Sequence, residues 1–129
     1  MNINIGKYIY SALLAIDALQ HVFPVIADFN DAVPPTPFAV YQRTSAEPNY
    51  TKSLWTGEIT HHYSVTIAAA NYADTVTVAQ SAIDAILALS HTDKDDIRFA
   101  QCTMTDISED YLEGLFLQTI QFEINTLKK

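Results

Sequence analysis

The chain has little glycine, little cysteine and little positive charge, and each shortage bears on a class of function. Its three glycines, Gly6, Gly57 and Gly114, stand far apart. No Gly-rich loop is present to cradle a phosphate, which argues against nucleotide binding of the common kinds. The single cysteine, Cys102, cannot form an internal disulfide; this fits a reducing compartment or indifference to redox state. Lys and Arg number 7 against 15 Asp and Glu, for a net charge of −8. Gripping nucleic acid over a whole surface takes clustered cations that neutralise phosphates, and this balance argues against it. A surface that DNA merely slides past is a different case, because negative charge prevents sticking. The opening segment MNINIGKYIYSALLAIDALQ lacks the small-residue cleavage site of a signal peptide, and Asp17 interrupts its apolar stretch. No run of about 18 apolar residues reads as a membrane span.

What is present is a sequence able to build a core. Of its 129 residues 49% are hydrophobic and 17% charged, the balance of one globular domain covering 1–129. Ile9, Leu13, Ile16 and Gln20 recur at helical spacing, and Pro24 stops that helix near His21. Val22 to Phe29 reads as a short strand, with Pro24 marking an edge or a start. The run from Asn30 to Pro37 reads as a turn-rich connection, and Phe38 to Ala46 as a second strand. Glu47 to Trp55, with Pro48 and Asn49, reads as a loop or a projecting hairpin arm. Ile59, His61, Tyr63, Val65 and Ile67 alternate with Glu58, Thr60, His62, Ser64 and Thr66, the clearest strand signal in the chain. Asn71 precedes Asp74 by three residues, a helix cap with an acid in the first turn. The helix it opens buries Val76, Ala79, Ile83, Ile86 and Leu87. A polar loop over His91–Asp96 and two strands, Ile97–Ile107 and Gly114–Thr126, finish the chain; Gln118 breaks the apolar face of the last. The expected fold is α+β in the order α-β-β-β-α-β-β: a mainly antiparallel sheet of about five strands with both helices packed on one face.

Chemistry finds little foothold in these residues. His61 and His62 are strand neighbours that point to opposite faces and cannot chelate one metal together. His21 and His91 read as helix-end residues. Asp93, Asp95 and Asp96 lack the glycine and downstream Glu of a calcium loop, and Asp106, Glu109 and Asp110 read as a solvated connection between strands. Cys102 alternates inward with Ala100 and Met104 and reads as a small core residue. No Gly-x-Ser-x-Gly turn supports a hydrolase. No catalytic residue, no cofactor-binding residue and no metal ligand is assigned. An enzyme using His61 or His62 with an acid is the weakest reading.

Amphipathic aromatics are plentiful, with 7 Tyr and 1 Trp. Tyr50 and Trp55 bracket the polar stretch 47–55, and with Leu54 they are the candidate subunit interface. The competing reading folds Trp55 back onto its own sheet. If the arm makes the contact, Trp55→Ala weakens assembly more than folding.

The order of these segments resembles the small tail-completion proteins of tailed bacteriophages, of the tail-terminator or head–tail joining type. The resemblance runs through the helix IYSALLAIDAL, the proline-bearing strand HVFPVIAD, the turn before Pro37-Phe38-Ala39-Val40-Tyr41, the strand ITHHYSVTIAAANY leading into DTVTVAQSAIDAILAL, and the closing pair RFAQCTMTDISEDYLEGLFLQTIQFEI. It implies a virion structural protein, assembled in the host cytoplasm as a homo-oligomeric ring. Such a ring joins neighbouring connector, collar or tail-tube proteins around a channel through which DNA passes, with no enzyme activity, no cofactor and no membrane partner. The long 47–55 stretch and the scarcity of basic residues depart from that family's pattern. A small α+β interaction or dimerisation module with no viral role is the alternative.

Overall fold

The computed structural model describes residues 2–19, 21–25 and 35–129. Eight elements follow one another: α1 (Gly6–Leu14), β1 (His21–Pro24), β2 (Phe38–Thr51), β3 (Leu54–Ala69), α2 (Tyr72–Leu87), β4 (Asp93–Lys94), β5 (Ile97–Leu112) and β6 (Leu115–Lys128). The strands form one sheet in the order β1-β2-β3-β6-β5-β4.

This corrects the expected fold class in three respects. The sheet has six strands rather than about five, a further strand lies after α2, and the sheet is mixed because β1 pairs parallel to β2. Strand residues far outnumber helical ones. The strand that the sequence reading lacks, β4, is two residues long, too brief to show periodicity, whereas β1 falls where a strand is expected and only its parallel pairing is new. Pro24 does lie in β1, whose free side is an outer edge of the sheet, where a missing N–H costs nothing. The later part of the expected Val22–Phe29 strand, residues 26–29, and Asn30 to Pro34 of the expected turn lie outside the described residues, as does Gln20.

The long elements arise from their patterns. In β3 and β6 every second residue is buried from Ile59 to Ile67 and from Gln118 to Thr126, while the residues between are half-exposed. One face of the sheet therefore carries the helices and the other is open. Asn71 caps α2, its Oδ1 accepting from the Asp74 amide at 2.9 Å; this satisfies one of the free N–H groups of the first turn. Helix α2 buries Thr75, Val78, Ala79, Ala82 and Ile86. Helix α1 stops at Leu14, earlier than its apolar spacing implied. Beyond Ala15 the chain continues as tight turns, with Ile16 N–H on Leu13 O and Leu19 N–H on Ile16 O. Ile9 and Leu13 of α1 join Val65, Ile67, Phe99, Ile120, Phe122 and Ile124 in the core. Burial of this apolar surface is the main stabilising term.

Gln118, the apparent flaw in the last strand, is buried, and its Nε2 donates to Glu109 Oε2 at 3.2 Å. The break in the apolar face is a satisfied amide.

Candidate functional site

Residues 47–55 are the end of the β2–β3 hairpin. Lys52 and Ser53 sit at φ 47° and 72°, the paired left-handed conformations of a two-residue turn whose twist matches the strands it joins. Tyr50 lies opposite Trp55 and Thr51 opposite Leu54. At the tip Tyr50 is 57% and Leu54 73% exposed. Trp55 turns inward: it is only part-exposed, its indole N–H donates to Glu58 O at 3.0 Å, and it lines a cavity of about 260 Å³ with Asn2, Ile59, Asp96, Thr126 and Leu127. Tyr50 and Leu54 thus face out, while Trp55 folds back onto its own sheet as the competing reading of the arm has it.

The open face of the sheet is polar. Directly opposed residues share a face, which places Glu58, Thr60, His62, Ser64 and Thr66 beside Asn125, Glu123, Gln121 and Thr119. Thr60 Oγ1 donates to Asn125 Oδ1 at 3.0 Å, and the hydroxyls of Thr66 and Thr119 meet at 3.2 Å. Asp106 and Asp110 of β5 stand opposite Gln121 and Leu117, and Glu47 of β2 opposite Thr60, so five carboxylates share this surface. His62 lies 3.4 Å from Glu47, and Arg98 at the margin binds Asp93 at 2.8 Å. That guanidinium holds the Asp93 carboxyl below its usual range.

Both outer edges of the sheet are covered over only half their length among the described residues. Strand β1 pairs with β2 from Phe38 to Tyr41, leaving Gln42 to Thr51 free on that side. On the other edge β4 covers Ile97 and Arg98, and the Ser90–Thr92 segment covers Phe99 to Cys102. There His91 N–H reaches Ala100 O, Phe99 N–H reaches Thr92 O, and Cys102 N–H donates to Ser90 Oγ at 2.9 Å. From Thr103 to Leu112 the outer side of β5 is free, and every one of those residues is exposed. Its helix-side face carries Glu109, bonded to Gln118, among apolar groups: Met104 and Ile107 are exposed opposite Phe122 and Ile120, and Tyr111 is exposed against the Phe116 ring at 4.8 Å. Tyr72 of α2 packs edge-on to Phe116 and, with Val76 one turn on, is also exposed.

Several titratable groups are shifted by their surroundings in the fold. His61 is buried with Nε2 3.1 Å from Thr126 Oγ1. Burial first, then the charges of Arg43 and His62, lower its pKa to about 4. Burial pushes the Cys102 thiol up to about 11, the opposite of an activated nucleophile. Asp95, held low by hydrogen bonding from Tyr8 and by the Lys7 charge, ties the β4–β5 turn to α1. Among the described residues no three His, Cys, Asp or Glu side chains are grouped to hold a metal, and no helix is long and apolar enough to cross a membrane.

The chain is similar to solved structures along almost all of its length. A chain described as "Virion of native gene transfer agent (GTA) particle" superposes with a TM-score of 0.56 at 18% identity, covering 93% of this chain and 90% of that one. The two share a fold. No protein-family model matches the chain, and no curated protein does.

Sequence reasoning misses the β5 edge. Its acids read as a solvated connection, whereas they lie on a strand whose two faces are both wet. The recurrence of Met104, Ile107 and Tyr111 among those acids is the signal that marks one side of it as apolar.

Proposed function

We propose that this chain is a virion structural protein, a ring-forming subunit of the tail-terminator or head–tail connector type, whose open sheet face looks toward the channel that DNA leaves through. The observation that carries the reading is the fold shared end to end with a chain of a gene transfer agent virion. The open face fits the role physically. It carries Glu47, Glu58, Asp106, Asp110 and Glu123, has no lysine among its described residues, and its arginine is engaged by Asp93. Phosphates passing such a surface meet repulsion and no cation to release counterions onto. The exposed tip residues Tyr50 and Leu54, with Trp55 bracing the tip from behind, are the proposed contact with a neighbouring subunit.

The reading makes the job structural rather than catalytic. Native mass spectrometry of the purified chain, and quantification of its copies in gradient-purified particles from its source, test it. A closed ring in solution and one ring's worth of copies per particle support it. Concentration-independent dimers with no copies in particles reject it in favour of the dimerisation module.

A further inference from the structure

Resting on the ring reading above, we infer that subunits join by strand addition: the β5 edge from Thr103 to Leu112 receives the outer edge of β2, Gln42 to Thr51, from a second copy of this chain, both edges being unpaired among the described residues. Among the described residues each edge of the sheet is half-capped by the chain itself, and the open halves lie at diagonally opposite corners. The register gives the diagonal. Along β3, the free part of β2 is level with Leu54 to Ser64, whereas the free part of β5 reaches, through β6, from His62 past Ala69. A free strand edge is a row of unmet N–H and C=O groups that templates another strand. Two different edges on one copy give a heterologous, head-to-tail contact, the kind that closes into a ring. Copies joined corner to corner are staggered along their strands, as tilted strands are in closed sheets.

Charge selects β2 as the occupant. The free β5 segment carries Asp106, Glu109 and Asp110 and no cation, while the β2 edge and its turn carry Arg43 and Lys52, with Glu47 turned to His62. Two β5 edges paired about a two-fold axis would set those carboxylates against their own images, and directly opposed like charges destabilise a strand pair. A β2 strand added here also extends the sheet over the exposed Met104, Ile107 and Tyr111. It thereby covers the apolar strip beside α2.

Cross-linking the full chain tests this. Ser45 and Ser108 are exposed and both lie on the open face, opposite His62 and Thr119. Within one copy they are separated by three strand spacings, roughly 14 Å of sheet width alone. Ser45→Cys and Ser108→Cys chains, each folded by circular dichroism, are mixed and treated with a short bifunctional maleimide. Cross-linked dimers that form only in the mixture, and a ladder of multimers in the double variant, are expected. Dimers from Ser108→Cys alone would overturn the inference in favour of two-fold pairing. Rings seen by native mass spectrometry that give no 45–108 cross-link would overturn it while leaving the ring reading standing. A chain that stays monomeric at all concentrations would overturn both.

Discussion

His61 Nε2 and Thr126 Oγ1 meet at 3.1 Å across the β3–β6 seam, while His61 Nδ1, in a fully buried site, has no partner among the described residues. The ring is neutral in the folded chain, because charging it would bury a cation beside Arg43.

Acid therefore unfolds this protein partly through His61. The folded pKa, about 4, lies below the unfolded value of 6.5, so between those pH values the unfolded chain binds the extra proton. Stability from this group is fully present above about pH 6.5 and is lost as pH falls to about 4, by about 3 kcal/mol in all. Urea unfolding at a series of pH values checks it, with His61→Gln flattening the curve in that window. The depressed carboxyls Asp93 and Asp95 act lower, below their ordinary 3.8. A wild-type curve flat from pH 6.5 to 4 would refute the claim.

The arm residues separate folding from assembly. Trp55 is half-buried and hydrogen-bonded to its own strand, so Trp55→Ala costs about 2 kcal/mol of stability and confounds any effect on assembly. Leu54 is 73% exposed, and Leu54→Ser changes stability by no more than about 0.5 kcal/mol. Native mass spectrometry is expected to show a weakened ring for Leu54→Ser with an unchanged urea midpoint. An intact ring would remove the tip from the interface.

Gly114 turns the β5–β6 hairpin at φ 85°, and a Cβ there would meet nothing within 4 Å. Substitution is therefore penalised by backbone conformation alone. Gly114→Ala is expected to cost about 1 kcal/mol, and Gly114→Asn less, since Asn tolerates the left-handed region. Equal midpoints for all three chains in thermal melts would refute this.

Cys102 reports local opening. With its pKa raised by burial to about 11, only about 0.1% of the buried thiol is thiolate at pH 8, and an opening that exposes it restores its ordinary acidity. Reaction with a disulfide reagent is expected to be slow in buffer and immediate in denaturant; rapid stoichiometric reaction of the folded chain would contradict the burial.

Legibility in the sequence tracks burial contrast. Helix α2 and strand β3 can be placed because one side of each is buried and the other wet, and the Asn71 cap is a local signal needing no tertiary context. The ends of β2 and β5 are hidden. Pro48 and Asn49 look like breakers, yet Pro48 sits opposite Ile59 on a strand with a free outer side and a register shift after it, where proline is tolerated. Thr103 to Leu112 is exposed on both faces, so it has no strong alternation to detect. The parallel β1–β2 pairing joins segments far apart in sequence, and no local pattern encodes it. For the candidate site, exposure at Tyr50 and Leu54 can be read from a polar stretch bracketed by aromatics. The free edges cannot, because an edge is defined by which strands are missing beside it.

The threonines and amides of the open face hold one another: Thr60 with Asn125, Thr66 with Thr119, Thr44 with the His62 carbonyl, Thr105 with the Gln121 carbonyl. Friction between a polymer and a wall is the cost of bonds that must break at each step. A wall whose hydroxyls are already engaged, and whose charges repel phosphate, offers few bonds to form. If this face lines the channel proposed above, it acts there as a lubricant built from ordinary cross-strand pairs.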